Sequence, residues 1–449
     1  MNKENVKSVV LTILVLISIL LTWGIWTFQP SYEEIQSSTY FENEPISVEK
    51  REVYQAIKPQ QIYFHEEKNH YSSFKAQYLK DTWKEIRKWE ITGAIDQSNL
   101  YSADEFLNWV HGEDGKNKVE IVFSDEIPMK TFQSILNWET DGMSYTGFDR
   151  MIIPAVSDSE EQKIYFVSYD EKKVIETKVD NSISRDFIKA QFTDKEDFYT
   201  YNIYEIGEGN SILLPEGNFS IKKVKYLRDK IDGEKFKQAL FSNPSRVRRE
   251  ISISKNTYTD GTRVLNVFPN RQELRYVNPT IRNTAPVEPD LLIEQSIGFL
   301  NNHGGWTDDY HFFNLDEMNQ EVSFRLSINS IPVFESFENG SGPTVIRQIW
   351  GRNEIAIYER PLYSLSSDFP PEDITLPSGD ELLNLIKKNQ QIQLNHIQNI
   401  FPAYELGESQ SDPQLVEIIP IWCLQMRDGS FVKLQSKQDV LGGGSSGLE

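Results

Sequence analysis

Two histidines and two aspartates crowd into one stretch, HGGWTDDYHFF at 303–313, as His303, Asp308, Asp309 and His311. Imidazoles and carboxylates this close are the raw material of a metal site or an acid–base pair. Asp308 and Asp309 also offer the two carboxylates that a glycosidase uses. The spacing argues against both. Gly304-Gly305 marks a helix end, and along a strand Asp309 and His311 point one way while Asp308 points the other. Adjacent carboxylates on opposite faces cannot flank one bond, and the sequence singles out no second carboxylate elsewhere. The favoured reading is a helix cap followed by a solvated strand start.

Other chemistry is sparse. The remaining histidines, His65, His70, His111 and His396, are scattered. No G-x-S-x-G elbow, H-E-x-x-H, EF-hand loop or phosphate-cradling loop occurs, so no catalytic residue, metal ligand or cofactor site is assigned. The lone cysteine, Cys423, sits in the strand-like VEIIPIWCLQM and reads as a buried, inert thiol. Fold stability must then come from the core, not from disulfides. Two basic runs, KKVKYLRDK at 222–230 and RVRR at 246–249, read as solvated edges, with docking of an acidic partner as the alternative. The aromatic stretches HGGWTDDYHFF and YERPLYSL read as core or sheet-end cover, with a binding surface as the alternative. The net charge of −21 disfavours nucleic acid.

The elements that must position these residues alternate between two periods. Phe74, Tyr78, Leu79, Trp83, Ile86 and Trp89 recur at helical spacing after candidate caps Ser72 and Ser73. SADEFLNWV follows as a helix with a Ser102–Glu105 capping box. KVEIVF reads as a strand, IPMKTFQSIL as a helix, and FDRMIIPAV, KIYFVSYD and KVIETKV as successive strands. SRDFIKAQF and GEKFKQALF are helical, FYTYNIYEI and SILL are strands, and Asp260-Gly261 and Asp428-Gly429 are hairpin turns. The proline-rich NTAPVEPD marks a boundary before a helix at PDLLIEQSIGFLNNH. Strands follow, then a second helix at LPSGDELLNLIKK capped by Ser378 and Glu381. The expected fold is α+β: a single N-terminal transmembrane helix, then a multidomain extracytoplasmic part of helices packed on antiparallel sheets. The expected divisions are 1–29, 30–180, 181–286, 287–440 and a flexible tail at 441–449.

The transmembrane expectation rests on VVLTILVLISILLTWGIWTF at 9–28, which carries no charge. A helix of that length rises about 30 Å, the hydrocarbon thickness of a bilayer. The run exceeds a signal peptide's apolar region and lacks a small-residue cleavage pattern. Trp23 and Trp26 suit the membrane interface, and Lys3 and Lys7 before the run, with Glu33 and Glu34 after it, set a cytoplasmic N-terminus. The lipid bilayer is thus an expected partner, and the bulk of the chain is expected outside the cell.

Taken in order, LTILVLISILLTWGIWTFQP, YTDGTRVLNVFPNRQELRYVNP, FLNNHGGWTDDYHFF, IPVF, YERPLYSL and LPSGDELL resemble the YycH (WalH) family over nearly the whole chain. The resemblance implies a single-pass plasma-membrane protein of a Gram-positive bacterium, without catalysis. Such a protein acts with YycI on the sensor kinase WalK (YycG), which phosphorylates WalR (YycF) and so governs cell-wall metabolism. It also implies several mixed α/β outer domains and contact between the anchor and the kinase's own helices.

With almost nothing inside the cell, such a chain reaches a cytoplasmic kinase only through the bilayer or through the kinase's outer domain. Helix contacts in lipid favour small and hydroxylated residues. Ser18, Thr22 and Ile25 share a face, and Gly24 permits close approach. The competing reading has Ser18 and Thr22 bonding back to their own backbone. An extracytoplasmic cell-wall hydrolase and a wall-ligand-sensing module remain the functional alternatives.

Overall fold

The structure is a computed structural model that describes residues 11, 13–18, 20, 22, 46–111, 117–138, 147–155, 161–180, 198–207, 209–281, 286–336, 342–351, 354–409, 412 and 414–434. The chain divides into two compact units, Met1–Glu44 and Pro45–Glu449. In the first, residues 11, 13–18, 20 and 22 are helical, with their apolar side chains exposed. Among the described residues no helix is long and apolar enough to cross a membrane. Lys3, Lys7, Trp23, Gly24, Ile25 and Trp26 lie outside the described residues, as do the expected helix SRDFIKAQF and the closing glycine-rich tail.

The second unit is α+β and rich in antiparallel pairing. One sheet takes its strands from between Gln61 and Pro215, the other from between Phe219 and Leu434. In the first, Gln61–Glu66 and Lys118–Pro128 lie side by side at the centre, and the outer end is formed by Asn210–Pro215 paired with Tyr199–Gly207. The second runs from the hairpin Arg248–Ile251 and Asn256–Thr259 to the long strands Ile397–Glu408, Leu415–Met426 and Phe219–Lys230. Its described pairs are antiparallel except where Ile331–Glu335 meets Ile397–Glu408. The divisions expected at 180 and 286 therefore fall inside sheets, because Tyr199–Gly207 joins Asn69–Ser72 in the first and Glu273–Val277 joins Ile355–Pro361 in the second.

Local chemistry explains most elements. In the helix Ala103–Val110, Ser102 and Glu105 close a reciprocal capping box. Ser378 accepts the Glu381 N–H at the start of Gly379–Lys388. The first amphipathic helix is shorter than its hydrophobic spacing implied, at Ala76–Ile86, with Leu79, Trp83 and Ile86 buried. Ser72 instead ends a strand, and Trp89 packs in the turn before a strand at Glu90–Asp96. The helix expected at IPMKTFQSIL contracts to Met129–Gln133, because the preceding strand extends through Pro128. One apolar core runs through both sheets, from Phe64 and Ile121 in the first to Leu274, Phe324 and Ile418 in the second.

Candidate functional site

The helix Pro289–His303 ends at Gly304, whose left-handed φ of 65° suits a residue without a Cβ. A second constraint acts on the same glycine: a Cβ there would strike the backbone of Ser47. The segment 46–58, which follows the apolar N-terminal stretch in sequence, lies across the HGGWTDDYHFF turn as a strap.

Arg51 and Asn301 fasten it. The Arg51 N–H donates to Asn301 Oδ1, and Asn301 Nδ2 donates back to the Arg51 carbonyl, both at 2.8 Å. Trp306 Nε1 donates to the same Asn301 oxygen at 2.7 Å, so the amide's orientation is set from two sides. The Arg51 guanidinium donates to the carbonyls of Tyr310 (2.6 Å) and Asp308 (2.9 Å) and lies 4.6 Å from the centre of the Trp306 ring. Its side chain is only 6% exposed, so these charge-assisted bonds are made largely away from water. Beyond it, Ala56 and Ile57 enter the core. Arg360, fully buried, holds the other side of the turn by donating to Gly305 O and Thr307 Oγ1.

The four residues singled out in this motif are separated in the way strand alternation required. Asp309 and His311 face one side, His311 Nε2 lying 2.8 Å from Asp309 Oδ1. Lys58 Nζ approaches that same imidazole nitrogen at 2.7 Å. One nitrogen cannot accept from Lys58 and donate to Asp309 at once, so the proton position selects the strap's partner. Burial lowers the His311 pKa, and burial likewise lowers that of Lys58. Asp309 is half exposed; burial raises its pKa, but His311, Lys58 and Arg51 outweigh this and leave it lowered. Asp308 turns the other way and accepts the Leu365 N–H at 3.0 Å. Its second oxygen is buried without a partner, and burial pushes its carboxyl up to about 7. His303 stands apart, between Phe299 O and the Tyr358 hydroxyl, with burial taking its pKa down to about 3. Among the described residues no group of three or more His, Cys, Asp or Glu is placed to hold a metal.

From the turn, strand Tyr310–Asp316 carries the contact onward. Ser124 donates to Phe312 O at 3.0 Å, and Asp125 accepts the Leu315 N–H at 2.8 Å, joining it to the first sheet's central strand. Deeper in that strand lies a polar network that sequence reading missed, because its members are far apart along the chain. Glu120, fully buried, takes Arg150 Nη1 on one oxygen and His65 Nε2, at 3.0 Å, on the other. His65 therefore carries its proton on Nε2, and its Nδ1 accepts from His70 Nδ1 at 2.7 Å. Arg150 can only donate, so His111 Nε2 accepts from it (2.9 Å), and His111 Nδ1–H donates to Ser211 Oγ at 2.8 Å. Both histidines are locked neutral, and burial lowers the pKa of each. Burial alone would raise the Glu120 pKa, but the Arg150 guanidinium holds it well below the usual range. The network borders a cavity of about 30 Å³ lined by Tyr63, Arg150, Asn399 and Phe401, at the meeting of the two sheets.

The remaining candidates are accounted for. Cys423 is buried, and burial pushes its thiol up to about 12, consistent with an inert role. The basic run 222–230 is largely neutralised: Lys222 pairs with Asp373 and both Lys223 and Lys225 with Glu417. On the N-terminal helix the Thr22 hydroxyl donates to Ser18 O at 2.8 Å, the back-bond weighed above.

Two family profiles together match nearly the whole chain. The profile described as YycH protein, N-terminal domain, matches residues 4–197, and that described as YycH protein, C-terminal domain, matches 209–439. The chain is 30% identical, over all of both sequences, to a Bacillus subtilis (strain 168) protein named two-component system WalR/WalK regulatory protein YycH. Its fold is similar to the crystal structure of YycH from Bacillus subtilis. That match has a TM-score of 0.76 and 27% identity and covers 86% of this chain and 97% of the other.

Proposed function

The chain belongs to the YycH family, and on that premise we propose that it is a membrane-anchored, non-enzymatic regulator of the sensor kinase WalK. In this reading it works with YycI at the plasma membrane of a Gram-positive bacterium and adjusts cell-wall homeostasis through WalR. The run 9–28 spans the bilayer, with Lys3 and Lys7 on the cytoplasmic side, Trp23 and Trp26 at the outer interface, and the body of the chain outside. Ser18, Thr22, Gly24 and Ile25 form the face offered to the kinase's helices. The Thr22 hydroxyl already donates to its own helix, so it serves there as an acceptor.

The observation that carries the proposal is the strap. A regulator whose body lies outside must hand its state to the segment that leads to the membrane. Here that segment is bonded in both directions to Asn301 and clamped by Arg51 to the backbone of the strand start. A coupling of about 1–3 kcal/mol between outer contacts and helix packing changes kinase activity about 5–150-fold. The test is a fusion of residues 1 to about 35 with an inert outer domain, read by WalR-dependent transcription. Regulation retained by the fusion places the activity in the span; loss with normal insertion assigns it to the outer unit and its strap.

A further inference from the structure

The second sheet begins with a hairpin that stands out from the rest of the surface. Strand Arg248–Ile251 pairs only with Asn256–Thr259 among the described residues, and every residue from 248 to 254 is exposed. Ser252 N–H donates to the Lys255 carbonyl at 2.9 Å and closes the turn. Hydrogen bonding alternates along an antiparallel pair, so Arg248 and Glu250 spend their backbone groups on Thr259 and Thr257. Those of Arg249 and Ile251 face the open side. A free ladder edge is a template for another strand.

The side chains specify what kind of strand. Ile251 is 67% exposed and Ile253 at the tip is fully exposed, two apolar side chains that the fold itself does not cover. Arg246, Arg248, Arg249 and Lys255 surround them with positive charge on a chain of net −21. Glu250 is the only acid in the strand; Arg249 lies 3.4 Å from Glu234 and 5.5 Å from the Tyr258 ring centre. A second copy of this chain fits poorly. With Arg249 and Ile251 facing outward, twofold pairing centred on residue 249 sets arginine opposite arginine, and centring on 250 sets glutamate opposite glutamate, both unfavourable. Centring on 251 leaves Arg249 opposite Ile253.

We infer that the edge Arg248–Ile251, with the Ile253 tip, receives an extended segment of a partner protein that carries an acidic and an apolar residue two apart, on one face of the added strand. The added strand pairs with the outward backbone of Arg249 and Ile251 and, on the face those two side chains share, sets a carboxylate against Arg249 and an apolar side chain against Ile251. This surface is separate from the strap and does not depend on the regulatory reading.

The full chain in detergent micelles is titrated with two fluorescent acetylated peptides, one of repeated Glu-Glu-Val-Val and one of repeated Lys-Lys-Val-Val, so that each strand face carries charged and apolar residues two apart. Binding is followed by anisotropy, and amide exchange is followed in the fragment 246–259. The glutamate peptide is expected to bind at least about tenfold tighter, more weakly at high salt, and to slow exchange in that fragment. Ile251→Pro removes an outward N–H while leaving the hairpin's own bonds, and is expected to abolish the binding. Arg248→Glu with Arg249→Glu is expected to reverse the peptide preference while the chain stays folded, with only a small change in melting temperature because the Arg249–Glu234 pair is exposed, which separates recognition from folding. Equal affinity for both peptides, binding without exchange protection, or dimerisation of the full chain through this edge would each overturn the proposal.

Discussion

Glu120 and Asp308 are both carboxylates withdrawn from most solvent, yet their pKa values move in opposite directions. Glu120 is held well below the usual range, with Arg150 and His65 on its two oxygens. Asp308 is pushed up to about 7, with one oxygen on the Leu365 N–H and the other unpartnered. Both feel burial; what separates them is closure. The network around Glu120 pairs donors with acceptors through His65, His70, His111 and Ser211, whereas the turn under the strap leaves a carboxyl half-satisfied. A closed network fixes one arrangement. An unclosed one, at the place where the strap is held, leaves room for two.

The largest predicted effect breaks the closed side. Glu120→Ala leaves the Arg150 guanidinium buried beside His111 with only the longer 3.4 Å pairing to Asp149, and urea unfolding is expected to show a loss of about 3 kcal/mol. Replacing Glu120 and Arg150 together by apolar residues of similar size is expected to recover part of that loss, since the buried Glu120–Arg150 pair is removed whole while Asp149 loses its 3.4 Å pairing with Arg150 Nε.

Arg51→Ala comes next. It deletes charge-assisted bonds to Tyr310 O and Asp308 O, with an expected loss of about 1.5–3 kcal/mol in urea unfolding. Its effect on WalR-dependent transcription is expected to exceed what its stability loss explains.

Acid and base sharpen the contrast because the two sites slope in opposite directions. His65 and His111 are neutral in the fold with pKa values lowered from 6.5. The unfolded chain therefore takes up more protons as pH falls through about 6.5, and stability drops. The Asp308 carboxyl is raised from 3.8 to about 7, so the unfolded chain ionises first, and stability drops as pH rises between these values. Asp308→Asn keeps an acceptor for the Leu365 N–H and removes that penalty. Thermal melts are expected to show it stabilised by on the order of 1–2 kcal/mol above about pH 7 and little changed near pH 4.

The smallest effect belongs to Lys58→Met. Lys58 is itself about one-third exposed and its carboxylate partner Asp309 half exposed, so a change within about 1 kcal/mol is expected in the same melts, shrinking at high salt.

Much of this architecture is legible from residue spacing. The Ser102–Glu105 box, the Gly304 stop, both Asp-Gly turns and the opposed faces of Asp308 and Asp309 follow from local rules that need only neighbours. The resemblance to the YycH family, carried by motifs in order, is matched along the chain. What could not be read is what joins distant positions. Arg51 meets Asn301 across 250 residues, and Ser211 meets His111 across 100. Gly304 shows the limit within a single residue: its role in ending the helix is local, but the demand that no Cβ meet Ser47 appears only in three dimensions. The helix at 76–86 ended early for the same reason, since Ser72 and Trp89 answer to strand pairing and core packing, not to helical period.

The decisive measurement compares Asn301→Ala, which undoes the two-way bond to Arg51, with Val267→Ala, a core truncation in strand Val264–Phe268. Both are expected to lose about 1–2 kcal/mol and to reach the membrane in normal amounts. In cells reporting WalR-dependent transcription, the account predicts a shift several-fold larger for Asn301→Ala than for Val267→Ala. Equal shifts, or none with Asn301→Ala, would contradict the claim that the outer unit acts through its strap.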